Sequence, residues 1–213
     1  MDKLRLLVNE IAYAKGHDKI SHHAFKPFLS IASFVYKAAQ NARLWCYHHS
    51  VLRARRLPVP VISVGNVTWG GNGKTPMSVF ISCLLLKRGI SPLILTRGYA
   101  GGDEANMLMR HFNDQQIKIG VGANRFATAT HFLRNYGYRK REEVKLKKSP
   151  NSNIDAVILD DGMQHLSLQR DLEIVMVNAI TPWGNGELLP LGPLREPLHA
   201  LERADAIVIH HAN

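Results

Sequence analysis

Cysteine is scarce. The 213 residues hold two, Cys46 and Cys83, and their spacing makes neither a metal clamp nor a redox pair. They read as buried or incidental thiols in a reducing compartment. No run of about 18 apolar residues occurs, so no transmembrane helix of ordinary length is expected. No secretory signal is read either. Acids are few, 17 against 27 Lys and Arg, leaving a formal net charge of +10. That balance suggests phosphate-rich partners: nucleic acid, anionic lipid or nucleotides. Nucleic acid ranks last, because the basic residues concentrate in 1–58 and 134–148 with no aromatic-rich recognition motif beside them. There is no Asn-Lys-x-Asp segment to read guanine and no internal repeat. His165 and the doublets His22-His23, His48-His49 and His210-His211 lack carboxylates or cysteines at ligand spacing, and read as structural or solvent-facing.

What is present centres on Val59 to Lys87. The apolar run Val59-Pro-Val-Ile-Ser-Val64 reads as a strand, and Met77 to Lys87 has a helical pattern stopped by Gly89. Between them lies Thr68-Trp-Gly-Gly-Asn-Gly-Lys-Thr75. Strand, glycine loop, Lys-Thr and helix in that order is a phosphate-binding loop. A helix N-terminus offers free N–H groups and partial positive charge to an anion. Gly70, Gly71 and Gly73 let the backbone approach that anion closely. Lys74 can reach the β- and γ-phosphates, and the Thr75 hydroxyl can ligate Mg²⁺. Residues 68–75 are therefore the expected ATP-binding loop, including Thr68, Trp69 and Asn72. The usual pattern has glycine where Thr68 stands. The competing reading is an ordinary Gly-rich turn between a strand and a helix.

Residues 1–58 form a separate segment, with ten Lys or Arg against Asp2, Glu10 and Asp18. Phe28, Ile31, Ala32, Val35, Ala38, Ala39, Ala42 and Trp45 recur at helical spacing, while Lys26, Ser30, Ser33, Lys37 and Gln40 fall opposite. Such a basic amphipathic helix can lie in a membrane interface. It can equally pack on the domain behind it, and a transit peptide is a third reading. Leu57-Pro-Val-Pro60 marks the boundary, and residues 59–213 read as the catalytic domain. Strands at Pro92–Thr96, Ile117–Val121, Ile154–Asp161, Leu172–Val177 and Ala206–His210 alternate with helices at Ala105–Phe112 and Asn124–Tyr136. Tyr138 to Asn153 reads as an exposed charged loop. This alternation predicts an α/β fold, a doubly wound, mostly parallel sheet of the phosphate-loop NTPase type. The strand ending in Asp160-Asp161 delivers carboxylates to the edge where open α/β sheets bind ligands, placed to hold Mg²⁺.

Several motifs then stand in one order. They are Pro58–Asn66, Gly70–Pro76, Thr96-Arg-Gly-Tyr99, Gly102-Asp-Glu104, Leu159-Asp-Asp-Gly-Met-Gln-His165, Arg170-Asp-Leu-Glu173, Gly184-Asn-Gly186 and Gly192-Pro-Leu-Arg-Glu-Pro197. Together they resemble the tetraacyldisaccharide 4′-kinase (lipid A 4′-kinase) family, for which Thr68 is normal. The wording Trp69-Gly-Gly-Asn-Gly73 is similar to the plant branch, whose members are assigned to mitochondria; a bacterial member would sit on the cytoplasmic face of the inner membrane. The resemblance implies transfer of the ATP γ-phosphoryl group to the 4′-hydroxyl of a tetraacylated glucosamine disaccharide 1-phosphate at a membrane surface, with Mg²⁺. It implies no nucleic-acid partner, and no obligate protein partner is evident. It places Lys74 in catalysis and Thr75, Asp160 and Asp161 on the metal side. Asp103 matches the proposed general base, against a reading as a helix cap. Arg97, Glu104 and Arg195 become candidates for phosphate or substrate contact, against plain solvation. Family members continue into a second α/β domain, expected to be absent here, so a nucleotide- and membrane-binding form without turnover is the alternative.

Overall fold

A computed structural model describes residues 13, 20–98, 103–112, 117–139 and 153–212. Its frame is one six-stranded parallel sheet ordered β3-β2-β4-β1-β5-β6. The strands are β1 (Val61–Gly65), β2 (Pro92–Thr96), β3 (Lys118–Val121), β4 (Ala156–Asp160), β5 (Leu172–Asn178) and β6 (Ala206–His210). The helices are α1 (Ile20–His48), α2 (Lys74–Lys87), α3 (Asp103–His111) and α4 (Arg125–Tyr136), with a 3₁₀ turn at Leu198–Arg203. The charged stretch 140–152, expected to be a loop, lies outside the described residues.

Central strands of a parallel sheet are covered on both faces, so they read as nearly continuous apolar runs. β2 and β4 are buried at every position. Successive side chains alternate between two layers. Leu93, Leu95, Val157 and Leu159 pack with Ala129 and Leu133 of α4. Ile94, Ile158, Ile174 and Met176 pack with Ile81 of α2 and Leu108 of α3. Each such Leu or Ile contributes roughly 1.5–3 kcal/mol of burial. The sheet is consequently rigid beneath its carboxyl edge. β1 lies beside β4 with Val64 opposite Asp160, so the loops leaving these two strands emerge side by side.

The long helix α1 docks through a mixed face. Leu29, Ser33, Tyr36, Gln40 and Arg43 fall at alternating steps of four and three, one face of a helix. Leu29 and Ser33 are buried, and Tyr36 packs against a cluster of Val67, Met163, Val175 and Leu194. Phe28 is 70 %, Ile31 67 % and Phe34 72 % exposed, with Val35 and Trp45 also open. Ser33 and Gln40 of the expected polar face turn inward, while its Lys26, Ser30 and Lys37 are exposed together with the apolar stripe. The reason is local: the surface beneath α1 is built of loops, whose main-chain carbonyls need donors rather than hydrocarbon.

Candidate active site

β1 ends at Gly65, and the chain crosses the sheet edge before α2 begins at Lys74. Gly73 takes a left-handed conformation, φ 69°, with no side chain capping the helix. A Cβ is disfavoured there, and Lys74, Thr75 and Pro76 at the start of α2 line the cavity described below. Thr68 occupies the position of the usual first glycine. Its hydroxyl accepts a 2.6 Å hydrogen bond from the Asn72 side-chain amide. Both residues are buried, so this bond braces the loop from within. Trp69 to Pro76 line a cavity of about 1360 Å³, whereas Thr68 does not. The Gly192–Pro197 motif clamps the same loop from outside. Trp69 N–H donates to Pro193 O at 2.6 Å, and Arg195 N–H donates to Val67 O at 2.7 Å.

The two aspartates part company at the end of β4. Asp160 is buried, and its two carboxylate oxygens accept from Thr75 Oγ1 at 2.9 Å and Ser78 Oγ at 3.0 Å. Burial pushes its carboxyl above the usual range, against those hydrogen bonds, and the neighbouring Asp161 charge adds to the rise. Asp161 adopts φ 53°, an uncommon left-handed conformation for a residue with a Cβ. Its carboxylate accepts from Arg195 Nη1 at 2.7 and 2.9 Å and lies 3.6 Å from Lys74 Nζ. Burial opposes its charge, but Lys74 and Arg195 outweigh it and hold the carboxyl below the usual range. Asp161 is therefore a carboxylate throughout the physiological range.

Sequence reasoning brought Lys74, Thr75, Asp160, Asp161 and Arg195 into play, and all five meet here. Arg97 lines the same cavity, as does Met107 of α3. Asp103 opens α3, but its side chain and that of Glu104 lie outside the described residues. Other residues were missed. Arg125, at the start of α4, donates to the main-chain carbonyls of Asp160 at 2.6 Å and Asp161 at 2.9 Å. Gln164, His165, Tyr36, Gln40 and Arg43 join the cavity wall. Burial, followed by the charges of Arg125, Arg170, Arg43 and Arg97, lowers the His165 pKa to about 4. His165 is half-buried in the cavity wall. Asn124 caps α4, its Oδ1 accepting from Ala127 N–H at 3.1 Å, and nothing in the sequence points Arg125 across the sheet.

The donor set suits Mg²⁺. Hydroxyl and carboxylate oxygens are hard ligands, and Mg²⁺ commonly takes one or two carboxylates with substrate phosphates and water. Among the described residues no group of three or more His, Cys, Asp or Glu gathers as a metal cage.

A family model described as Tetraacyldisaccharide-1-P 4'-kinase matches residues 25–213. The chain belongs to that family. A relative from Arabidopsis thaliana, named "Probable tetraacyldisaccharide 4'-kinase, mitochondrial", is 55 % identical over 224 aligned positions, covering 100 % of this chain and 57 % of the relative. The tetraacyldisaccharide 4'-kinase of Syntrophus aciditrophicus is 37 % identical, covering 86 % of this chain and 50 % of its own length. The solved structure of LpxK from Aquifex aeolicus in complex with ATP matches with a TM-score of 0.68 at 28 % identity, over 88 % of this chain and 58 % of that one. The chain thus spans somewhat over half the length of the tetraacyldisaccharide 4'-kinases it matches. The loop is closed by the Thr68–Asn72 side-chain bond and the neighbouring Gly192–Pro197 segment where the usual pattern has a first glycine.

Proposed function

We propose that this chain forms the nucleotide-binding part of a tetraacyldisaccharide 4′-kinase acting in lipid A biosynthesis. The observation that carries this reading is the pairing of Thr75 with Asp160 and of Lys74 with Asp161 at the mouth of a cavity framed by the phosphate loop. ATP would seat its phosphates on the N–H groups of the loop and the start of α2, with Lys74 against the β- and γ-oxygens. Thr75, Asp160 and Asp161 would hold Mg²⁺, which when bound neutralises charge on those oxygens. Arg195 and Arg97 supply further positive charge beside the transferring group. In the transfer, the bond from the γ-phosphorus to the bridging oxygen breaks. A bond to the sugar 4′-oxygen forms, yielding lipid IVA. Asp103, on the family resemblance, takes the hydroxyl proton.

Residues 1–58 would be the membrane-facing segment and 59–213 the kinase domain. The outward stripe of Phe28, Ile31, Phe34, Val35 and Trp45 suits a membrane interface, where an acylated acceptor resides. No described helix is long and apolar enough to cross a membrane. The name of the Arabidopsis relative supports a mitochondrial location.

The test is thin-layer assay of label transfer from [γ-³²P]ATP to the tetraacylated disaccharide 1-phosphate. It is run on this chain, on a longer form carrying the family's second domain, and on Asp103→Ala in each. Labelled 4′-phosphorylated product from the longer form, with kcat lowered and KM for ATP retained in Asp103→Ala, supports the kinase reading. No labelled product from either length sinks it.

A further inference from the structure

α1 reaches the site with three donors, each aimed at a main-chain carbonyl far away in sequence. Ser33 Oγ donates to Leu188 O at 2.9 Å. Tyr36 OH donates to Arg195 O at 2.8 Å. Arg43 Nη2 donates to Gln164 O at 3.0 Å. The direction of the middle bond is set, because Gln40 Nε2 donates to the Tyr36 oxygen at 2.9 Å, leaving the phenolic proton for the carbonyl. Burial raises the Tyr36 pKa, which keeps that proton in place.

The accepting loops carry the site. Gln164 follows the Asp160-Asp161 pair and donates through Nε2 to Asn66 O at 2.9 Å, at the root of the phosphate loop. Arg195 grips Asp161 with its guanidinium and the phosphate loop with its main-chain N–H. Its carbonyl, on the other side, is held by Tyr36. These loops have no continuous ladder; Leu188 O also accepts from Gly192 N–H at 2.9 Å, while α1 supplies side-chain donors to the Gln164 and Arg195 carbonyls. A helix that served only as an anchor would need none. A helix docked for hydrocarbon packing alone would turn its Phe28, Ile31 and Phe34 stripe inward.

We infer that Ser33, Tyr36 and Arg43 are positioning residues of the phosphate site. α1 fixes the 162–165 and 188–195 loops, and through Arg195 it fixes the carboxylate of Asp161 and the mouth of the phosphate loop. The effect on nucleotide rests on the function proposed above; the effect on the loops does not.

The experiment compares wild type, Tyr36→Phe, Arg195→Ala and the double variant. Tyr36→Phe keeps the ring packing and removes only the hydroxyl. Amide hydrogen exchange without nucleotide should quicken in 162–165 and 188–195, leaving β2 and α4 as protected as before. Calorimetric ATP affinity should fall roughly fivefold in Tyr36→Phe, and Tyr36→Phe should add no further loss on top of Arg195→Ala. A general loss of stability would instead speed exchange everywhere and lower affinity in both backgrounds. Unchanged exchange in the two loops, or additive affinity losses, overturns the inference. If wild type itself binds no ATP, the proposed function fails, and the exchange comparison still decides whether α1 positions the loops.

Discussion

Neutralising Asp161 should strengthen the binding of metal-free ATP. The carboxylate sits 3.6 Å from Lys74 Nζ and 2.7 Å from Arg195 Nη1, the two cations that an incoming phosphate recruits. At an effective dielectric of about 20, unit charges 3.6 Å apart attract by about 5 kcal/mol gross. Desolvation offsets most of that, and a charge-assisted bond nets about 1.5–3 kcal/mol. A phosphate must compete with this, and it also meets the carboxylate's own negative charge. In Asp161→Asn both obstacles vanish, and asparagine tolerates the left-handed backbone of φ 53°. ATP titrated in EDTA should therefore bind Asp161→Asn about tenfold more tightly, some 1.4 kcal/mol. With Mg²⁺ the gain should shrink or reverse, since on the proposed function a metal ligand is lost. Asp161 is already ionised in the physiological range, so the difference should be constant between about pH 8 and 9, where the terminal phosphate is fully ionised as well. Weaker metal-free binding by Asp161→Asn would refute the claim that Asp161 holds Lys74 and Arg195 in reserve.

Three other outcomes are expected. Thr68→Val leaves the buried Asn72 amide without its partner in the loop, costing about 1–3 kcal/mol in urea unfolding, while Thr68→Ser should stay near wild type; equal stability of all three would contradict the bracing role. Changing Phe28, Ile31 and Phe34 together to Ser should abolish flotation with anionic liposomes at little cost in thermal stability, as these side chains are exposed; undiminished flotation would show that the stripe is not the membrane contact. His165 has a folded pKa near 4, below its unfolded value near 6.5, so the unfolded state binds more protons between these limits and stability falls as pH drops through them. His165→Gln should flatten that part of the stability curve, and an unchanged slope would contradict the assigned shift.

The parallel sheet was legible because its evidence is local. Buried apolar runs such as Leu93–Leu95 and Val157–Leu159 need no partner to be recognised as strands, and Gly73-Lys74-Thr75 announces a phosphate loop by itself. The strand order was not legible, since nothing in β1 says that β4 will lie beside it. The second tier of the site was hidden for the same reason. Arg125 acts on carbonyls 35 and 36 positions away, and Tyr36 on one 159 positions away. α1 shows a limit of periodicity. Its apolar stripe was read correctly as a stripe, but hydrophobic spacing does not state which face turns inward when the neighbouring surface is made of loop carbonyls.

The most direct measurement is calorimetric titration of this chain with Mg-ATP, beside Lys74→Ala. Lys74 is buried within the loop, its ammonium 3.4 Å from Gly70 O, and removing it deletes a positive charge from the proposed β- and γ-phosphate position. The account predicts saturable one-to-one binding by wild type and a loss of about tenfold or more in the variant. Equal affinity of the two proteins, or heat from wild type that never saturates, would contradict it.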